Sequence, residues 1–275
     1  MTEFARRGFE VKGFERTHVD ITNAAHVEKC LVEYDPAIVV NSAAYNQVDV
    51  AEQEPMAAYT VNGMAVRNIA MACRQADARL VHFSTDYVFD GLAGRPYTEQ
   101  DTPRPLGAYA VSKLAGEYYA RAYLDNALVI RTSGVYGPAG VKTARGNFVE
   151  LMLRLARNGQ TIRVVEDHVA SPTYAPALAS RTADLVERGA QGVFHVAGGV
   201  PISWFQWASK IFTSANLTPA LKPTNEREFR TAARRPKYSA LSNAKMESLG
   251  LDPMPDMDQA IGLYMLARER KLTSS

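Results

Sequence analysis

Thr85, Tyr109 and Lys113 are the residue types in this chain that can together deliver a proton to a carbonyl. Thr85 stands in S-T-D-Y-V-F-D-G (84–91), and the other two in Y-A-V-S-K (109–113). Tyr109 and Lys113 are four apart, so on a helix they share one face. A lysine ammonium beside a phenol favours the phenolate and lowers its pKa from about 10. Such a tyrosine serves as acid and base near neutral pH. Thr85 follows the apolar run R-L-V-H-F. A strand there puts the hydroxyl at a strand's carboxyl end, where open α/β sheets gather their sites.

The elements that would position these groups alternate between strand-like and helix-like, as in a doubly wound α/β sheet. Thr22 caps a helix to about Tyr34, and Ala37 to Asn41 (A-I-V-V-N) reads as a buried parallel strand. Val48 to Ala76 is helical with a break at Pro55, Arg79 to Phe83 is the next strand, and Leu106 to Leu124 is the helix carrying Tyr109 and Lys113. Strands follow at Ala127 to Thr132, Thr161 to Val165 and Gly192 to Ala197, with helices at Asn147 to Arg157, Pro176 to Arg188, Trp204 to Ser214 and Asp256 to Arg270. Asn216 to Tyr238 is polar, contains Pro223 and Pro236, and reads as a loop over the site.

The Tyr-x-x-x-Lys spacing alone is explained as well by an exposed helix. Its setting is more specific. A proline-rich loop (Thr102-Pro103-Arg104-Pro105) leads into the helix, and T-D-Y-V-F-D-G stands upstream. With these strings the chain resembles the extended short-chain dehydrogenase/reductase superfamily, and within it the dTDP-4-dehydrorhamnose reductase family. The resemblance runs from about Phe9 to about Tyr264. Further ordered motifs carry it: N-S-A-A-Y-N-Q-V-D-V-A-E (41–52), Y-T-E-Q-D-T-P-R-P-L (97–106), R-T-S-G-V-Y-G (131–137), D-H-V-A-S-P-T-Y (167–174) and R-R-P-K-Y-S-A-L (234–241).

The fold implied is α/β: a Rossmann-like doubly wound parallel sheet with a smaller α/β substrate-binding domain. An NAD(P)-binding domain would take residues 1–145, rejoined by about 174–200, and a mainly sugar-nucleotide-binding domain 146–275. The family's first strand and glycine-rich phosphate loop have no counterpart in this sequence. Met1 to Gly8 resembles the last turns of the helix that follows that loop, and Phe9 to Phe14 the second strand. Two explanations stand: a start codon assigned too far downstream, which is favoured, or a chain that has lost cofactor binding. On either, the chain as printed is expected to bind a dinucleotide weakly and to be hard to fold.

The resemblance also implies site residues. Arg16 would meet the ribose phosphate of NADPH, although Glu15 before it suits the ribose hydroxyls of NADH. NADPH is the family's lean and NADH stays open. Asp20 and Ile21 would contact the adenine, Ala43, Ala44 and Tyr45 would let the cofactor backbone approach, and Phe83 would line the nicotinamide side. Thr85 and Asp86 would hydrogen-bond the sugar, with Asn147, Arg235 and Lys237 near the diphosphate. Two departures stand out: Gly134 where the family usually has tryptophan, and Gly107 and Ala110 in place of an asparagine and a glycine beside the tyrosine.

The expected reaction is NADPH-dependent reduction of a dTDP-4-keto-6-deoxy-sugar, forming dTDP-L-rhamnose. The alternatives are another sugar-nucleotide reductase or epimerase, which Gly134 keeps open, and a regulatory subunit resembling the β subunit of methionine adenosyltransferase. A net charge of +2 gives no global reason to expect nucleic acid or an anionic membrane as partner. No apolar run reaches membrane-span length and no secretory signal opens the chain, so a cytoplasmic location is expected. Cys30 and Cys73 read as core thiols. The five histidines show no metal-ligand spacing; Mg²⁺ is compatible with the family but unsupported by these residues. A homodimer is compatible with the sequence.

Overall fold

Short apolar runs flanked by turn residues pair in parallel here, and the two inner ones are buried on both faces. The structure, a computed structural model, describes residues 1–143, 146–228 and 230–273. Its main sheet has the parallel order β1 (Ile38–Asn41), β2 (Arg79–Thr85), β3 (Leu128–Thr132), β6 (Gly192–His195). β4 (Ile162–Val165) pairs in parallel with β8 (Leu221–Thr224), and β5 (Val169–Ala170) pairs antiparallel with β7 (Ile202–Ser203). The helices are α1 (Thr2–Arg6), α2 (Ala24–Tyr34), α3 (Val48–Gln53), α4 (Pro55–Tyr59), α5 (Ala65–Gln75), α6 (Ala108–Tyr123), α7 (Phe148–Arg157), α8 (Ala175–Glu187), α9 (Trp204–Ser214), α10 (Ala244–Glu247) and α11 (Met257–Thr273).

Strand alternation sends neighbouring residues to opposite faces. Leu80 and Val129 join Val27, Ile69 and Ala120 beneath α2, α5 and α6, whereas Val81, Leu128 and Ile130 join Leu178, Leu185 and Phe194 on the α8 side. A separate core gathers Tyr136, which follows β3, with Met152, Trp207, Ile211, Ile261 and Tyr264 from α7, α9 and α11. Residues 175–195 therefore sit with the main sheet, while much of the later chain builds its own core.

Three expectations are corrected. Phe9 to Phe14 is not a strand: among the described residues none pairs with it, and its rings pack elsewhere, Phe9 on Phe4 and Phe14 on Tyr34. Among the described residues β1 accordingly pairs on one side only, with β2. The segment after Asn216 is not all loop, because Leu221–Thr224 forms β8 despite Pro223. A two-stranded ribbon leaves one edge free, where a residue without an N–H is tolerated. The cap of α2 is Asn23 rather than Thr22, its side-chain oxygen accepting from the Ala25 and His26 amides.

Candidate active site

Thr85 ends β2, opposite Thr132 at the end of β3. Tyr109 is the second residue of α6 and Lys113 lies one turn on, beneath the same strand end. Three contacts fix the start of that helix. Gly107 offers no capping side chain, and the Glu52 carboxylate accepts from the Ala108 amide at 2.7 Å instead. A Cβ on Gly107 would come within 2.5 Å of that same carboxylate oxygen, so a side chain here would displace the Glu52 carboxylate. Within the helix, the Ser112 hydroxyl donates to the Tyr109 carbonyl (2.7 Å) and accepts from Asn62 Nδ2 (3.0 Å).

Asn62 lies in a single π-helical turn, Thr60–Met64, between α4 and α5. Its Oδ1 accepts from the Tyr45 amide (2.8 Å) and its Nδ2 donates to the Tyr45 carbonyl (3.1 Å). One buried amide thus holds both the Ala43–Tyr45 loop and the tyrosine helix. Deeper in α6, Arg131 on β3 forks onto Glu117 at 2.7–3.2 Å, and the Ser84 hydroxyl donates to the same carboxylate at 2.5 Å.

Lys113 Nζ donates to the Phe83 carbonyl at 2.6 Å. Burial pulls its ammonium down to about 8, opposed by the charge of Glu117. The phenol of Tyr109 stands beside Thr85, and its ring meets Tyr87 edge-on at 6.1 Å. Burial, and then the charge of Asp86, push this phenol above its ordinary range, with the Thr85 hydroxyl opposing them. The expectation of a phenol lowered by Lys113 is therefore corrected. Desolvation dominates, and the ammonium is directed at a backbone carbonyl.

Asp86 is also differently employed from the expectation of a sugar contact. Its carboxylate is buried and held by three hydroxyls: Thr85 at 3.1 Å on Oδ1, Ser133 at 2.8 Å and Ser239 at 2.5 Å on Oδ2. Burial raises it to about 6 against those hydrogen bonds. Asn147 caps α7, accepting from the Glu150 amide while donating to the Gly137 carbonyl and the Tyr264 hydroxyl. Its polar atoms are engaged within the second core and not presented to a diphosphate. Arg235 forks onto Asp49 of α3 at 2.7 and 3.1 Å and lies against Tyr87. Lys237 reaches toward Asp167 and Glu226, at 3.6 and 3.5 Å.

A crevice beside Tyr109 is lined by Val48, Glu52, Tyr87, Leu106, Ala233 and Arg234. Phe83 packs partly buried on the α8 side of the sheet. Ala43 and Ala44 follow β1, with the Ala43 amide donating to Asn41 Oδ1. Arg16 is exposed, and Asp20 accepts from the Thr22 amide and hydroxyl at 3.0 and 2.7 Å, with Ile21 between them. Gly134 has φ +50°, and a Cβ there would lie 3.3 Å from Pro172 Cα, so a larger residue would be strained. Asn62, Ser112, Ser133 and Ser239 were not singled out from the sequence. Ser133 and Ser239 lie inside the motifs at 131–137 and 234–241, whereas Asn62 carries no spacing signal.

A nicotinamide cofactor can be tested against these donors. The Lys113 ammonium, the Thr85 hydroxyl and the Tyr109 phenol converge at one strand end, and small residues follow the neighbouring strand. This suits the nicotinamide–ribose end.

Comparison with known proteins agrees. The family model for the RmlD substrate binding domain matches residues 1–269. A dTDP-4-dehydrorhamnose reductase of Streptomyces griseus is 38% identical over 256 residues, 90% of this chain and 83% of that protein. One of Mycobacterium tuberculosis is 37% identical over 269 residues, covering 96% and 86%. The crystal structure of dTDP-4-dehydrorhamnose reductase from Bacillus anthracis in complex with NADP superimposes with a TM-score of 0.90 at 35% identity, covering 95% of this chain and 91% of that one. On the family model and these relatives, the chain belongs to the RmlD substrate binding domain family, which its Rossmann-like sheet and ordered motifs had indicated.

Proposed function

We propose that this protein reduces dTDP-4-dehydro-L-rhamnose to dTDP-L-rhamnose with NADPH, in the biosynthesis of nucleotide sugars for cell-surface polysaccharide. The observation that carries this reading is the convergence of Thr85, Tyr109 and Lys113 at the carboxyl end of β2, in a chain whose relatives bear that enzyme name. A reduced nicotinamide, when bound, supplies hydride to the carbonyl carbon.

Tyr109 hydrogen-bonds the carbonyl oxygen and polarises it, and Thr85 joins it by turning its single hydroxyl proton from Asp86 Oδ1 to that oxygen. Tyr109 then gives its phenolic proton to that oxygen. The upward shift of the phenol keeps it protonated at neutral pH, the form a reduction needs. An alkoxide is a far stronger base than a phenolate, so the transfer runs downhill. Lys113, anchored by the Phe83 carbonyl, keeps further N–H donors for a ribose and places positive charge below the phenolate left behind. Asp86 accepts the Thr85 hydrogen bond until the substrate oxygen takes its place.

Ala43, Ala44, Tyr45 and Phe83 would border the cofactor, with Arg16, Asp20 and Ile21 at its adenosine end. Arg235 would face the substrate after exchanging Asp49 for a phosphate, since its planar fork suits either anion. We place the reaction in the cytoplasm; no helix among the described residues is long and apolar enough to cross a membrane.

Gly134 favours one second reading, a related keto-sugar, because a bulky wall is strained at that backbone. The test is NADPH oxidation with dTDP-4-dehydro-L-rhamnose and identification of the product by NMR. A rhamnose product supports the first reading, a different 6-deoxyhexose the second, and absence of oxidation with any keto-sugar contradicts both.

A further inference from the structure

We propose that Asp167, His168 and Glu226 form a site for a divalent transition metal, Zn²⁺ fitting best, separate from the reaction centre. One ligand atom from each lies within 4.8 Å of the others. The decisive feature is the imidazole. The His168 side chain is 9% exposed, and its Nε2 is sealed from solvent with no hydrogen-bond partner. A buried ring nitrogen without a partner is destabilising unless a ligand fills it. That nitrogen points at Glu226 Oε2, 4.0 Å away.

Two ligands on one Zn²⁺, with bonds of about 2.0–2.2 Å, stand up to roughly 4.2 Å apart. The histidine–glutamate pair is already inside that limit. The remaining gap closes by rotation of carboxylates that are partly exposed, 29% for Asp167 and 42% for Glu226. One imidazole and two carboxylates leave a fourth tetrahedral position for water. The nitrogen ligand favours Zn²⁺ over Mg²⁺, which takes oxygen ligands. The Glu226 amide donates to the Asp167 carboxylate at 3.3 Å and holds it toward the site.

Lys237 is the competitor. Its ammonium stands 3.6 Å from Asp167 Oδ2 and 3.5 Å from Glu226 Oε2. The side chain is 59% exposed and can swing into water when a dication takes the carboxylates. Bound metal would pin the turn after β8 to the Asp167–Val169 segment. That segment exchanges backbone hydrogen bonds with Lys237 and Ser239, and the Ser239 hydroxyl holds Asp86. The site is thus a structural clamp one layer behind the reaction centre.

The test is calorimetric titration of the purified 275-residue protein with ZnCl₂, together with the visible spectrum after Co²⁺ addition. The expected result is one saturable site, a tetrahedral Co²⁺ spectrum and a higher melting temperature with metal. His168→Gln and Glu226→Gln should each weaken binding by about tenfold or more, the scale on which altered metal surroundings act. Lys237→Met should tighten it. Circular dichroism of each variant confirms that it is folded. Absence of saturable binding by the wild-type protein, or an affinity unchanged in folded His168→Gln, would overturn the site. Neither readout depends on turnover of the keto-sugar.

Discussion

The Lys113 ammonium donates to the Phe83 carbonyl at 2.6 Å, tying the tyrosine helix to the end of the central strand. This contact changes the role that spacing alone assigns to Lys113. The amine is a buried strut between α6 and β2 as well as a charge beneath the site. Its depressed pKa, about 8, follows from that burial.

A pH profile reads this directly. The ammonium is lost as pH rises through about 8, so kcat/KM should fall along a limb near that value. In Lys113→Met the remaining activity should show no such limb. A wild-type profile that stays flat through this range would contradict a working ammonium.

Asp86 gives a stability signature of defined sign. Its folded pKa of about 6 exceeds the ordinary 3.8, so between these values the native state binds more protons than the unfolded one. Its contribution is full below about 4 and is lost as pH rises through 6. The shift sets a ceiling of about 3 kcal/mol. Chemical denaturation of Asp86→Asn should show a flatter dependence across this window. An unchanged slope would place the titration elsewhere.

Glu117→Gln should be strongly destabilising. The Arg131–Glu117 pair is nearly sealed, with side chains 5% and 2% exposed, and removing one charge strands the other. A loss of about 3–5 kcal/mol is expected from thermal or urea unfolding. A change within the range of a surface substitution would show that water reaches Arg131.

Asn62→Ala should both destabilise and slow the enzyme. The amide makes three hydrogen bonds that join the Tyr45 loop to α6. Leaving those partners unsatisfied costs about 1–3 kcal/mol. With the helix start loosened, kcat should drop more than KM rises. Wild-type kcat in the variant would show that α6 is held in place without Asn62.

Much of the sheet was legible because buried parallel strands are short apolar runs, as in L-V-I-R-T and R-L-V-H-F-S-T, and the helix of Tyr109 and Lys113 lies where its motif placed it. The strand expected at Phe9 to Phe14 failed because a strand is defined by a partner, and composition does not reveal whether one is present. The ribbon strand at Leu221–Thr224 was hidden by its proline. Within the site, residue types were visible but their hydrogen bonds were not. Asp86 and Asn147 carry polar groups suited to a ligand, yet folding spends them on Ser133, Ser239, Glu150 and Tyr264. Asn62 could not be found from spacing, since its three bonds reach segments 17 and 50 residues away.

The proton donor is tested most directly by Tyr109→Phe, which keeps the ring against Tyr87 and removes only the hydroxyl. Single-turnover NADPH oxidation with dTDP-4-dehydro-L-rhamnose, set beside substrate binding by calorimetry, separates chemistry from affinity. The expected result is turnover reduced by about 10²-fold or more with binding retained. Wild-type turnover in this variant would contradict Tyr109 as the group that protonates the sugar oxygen.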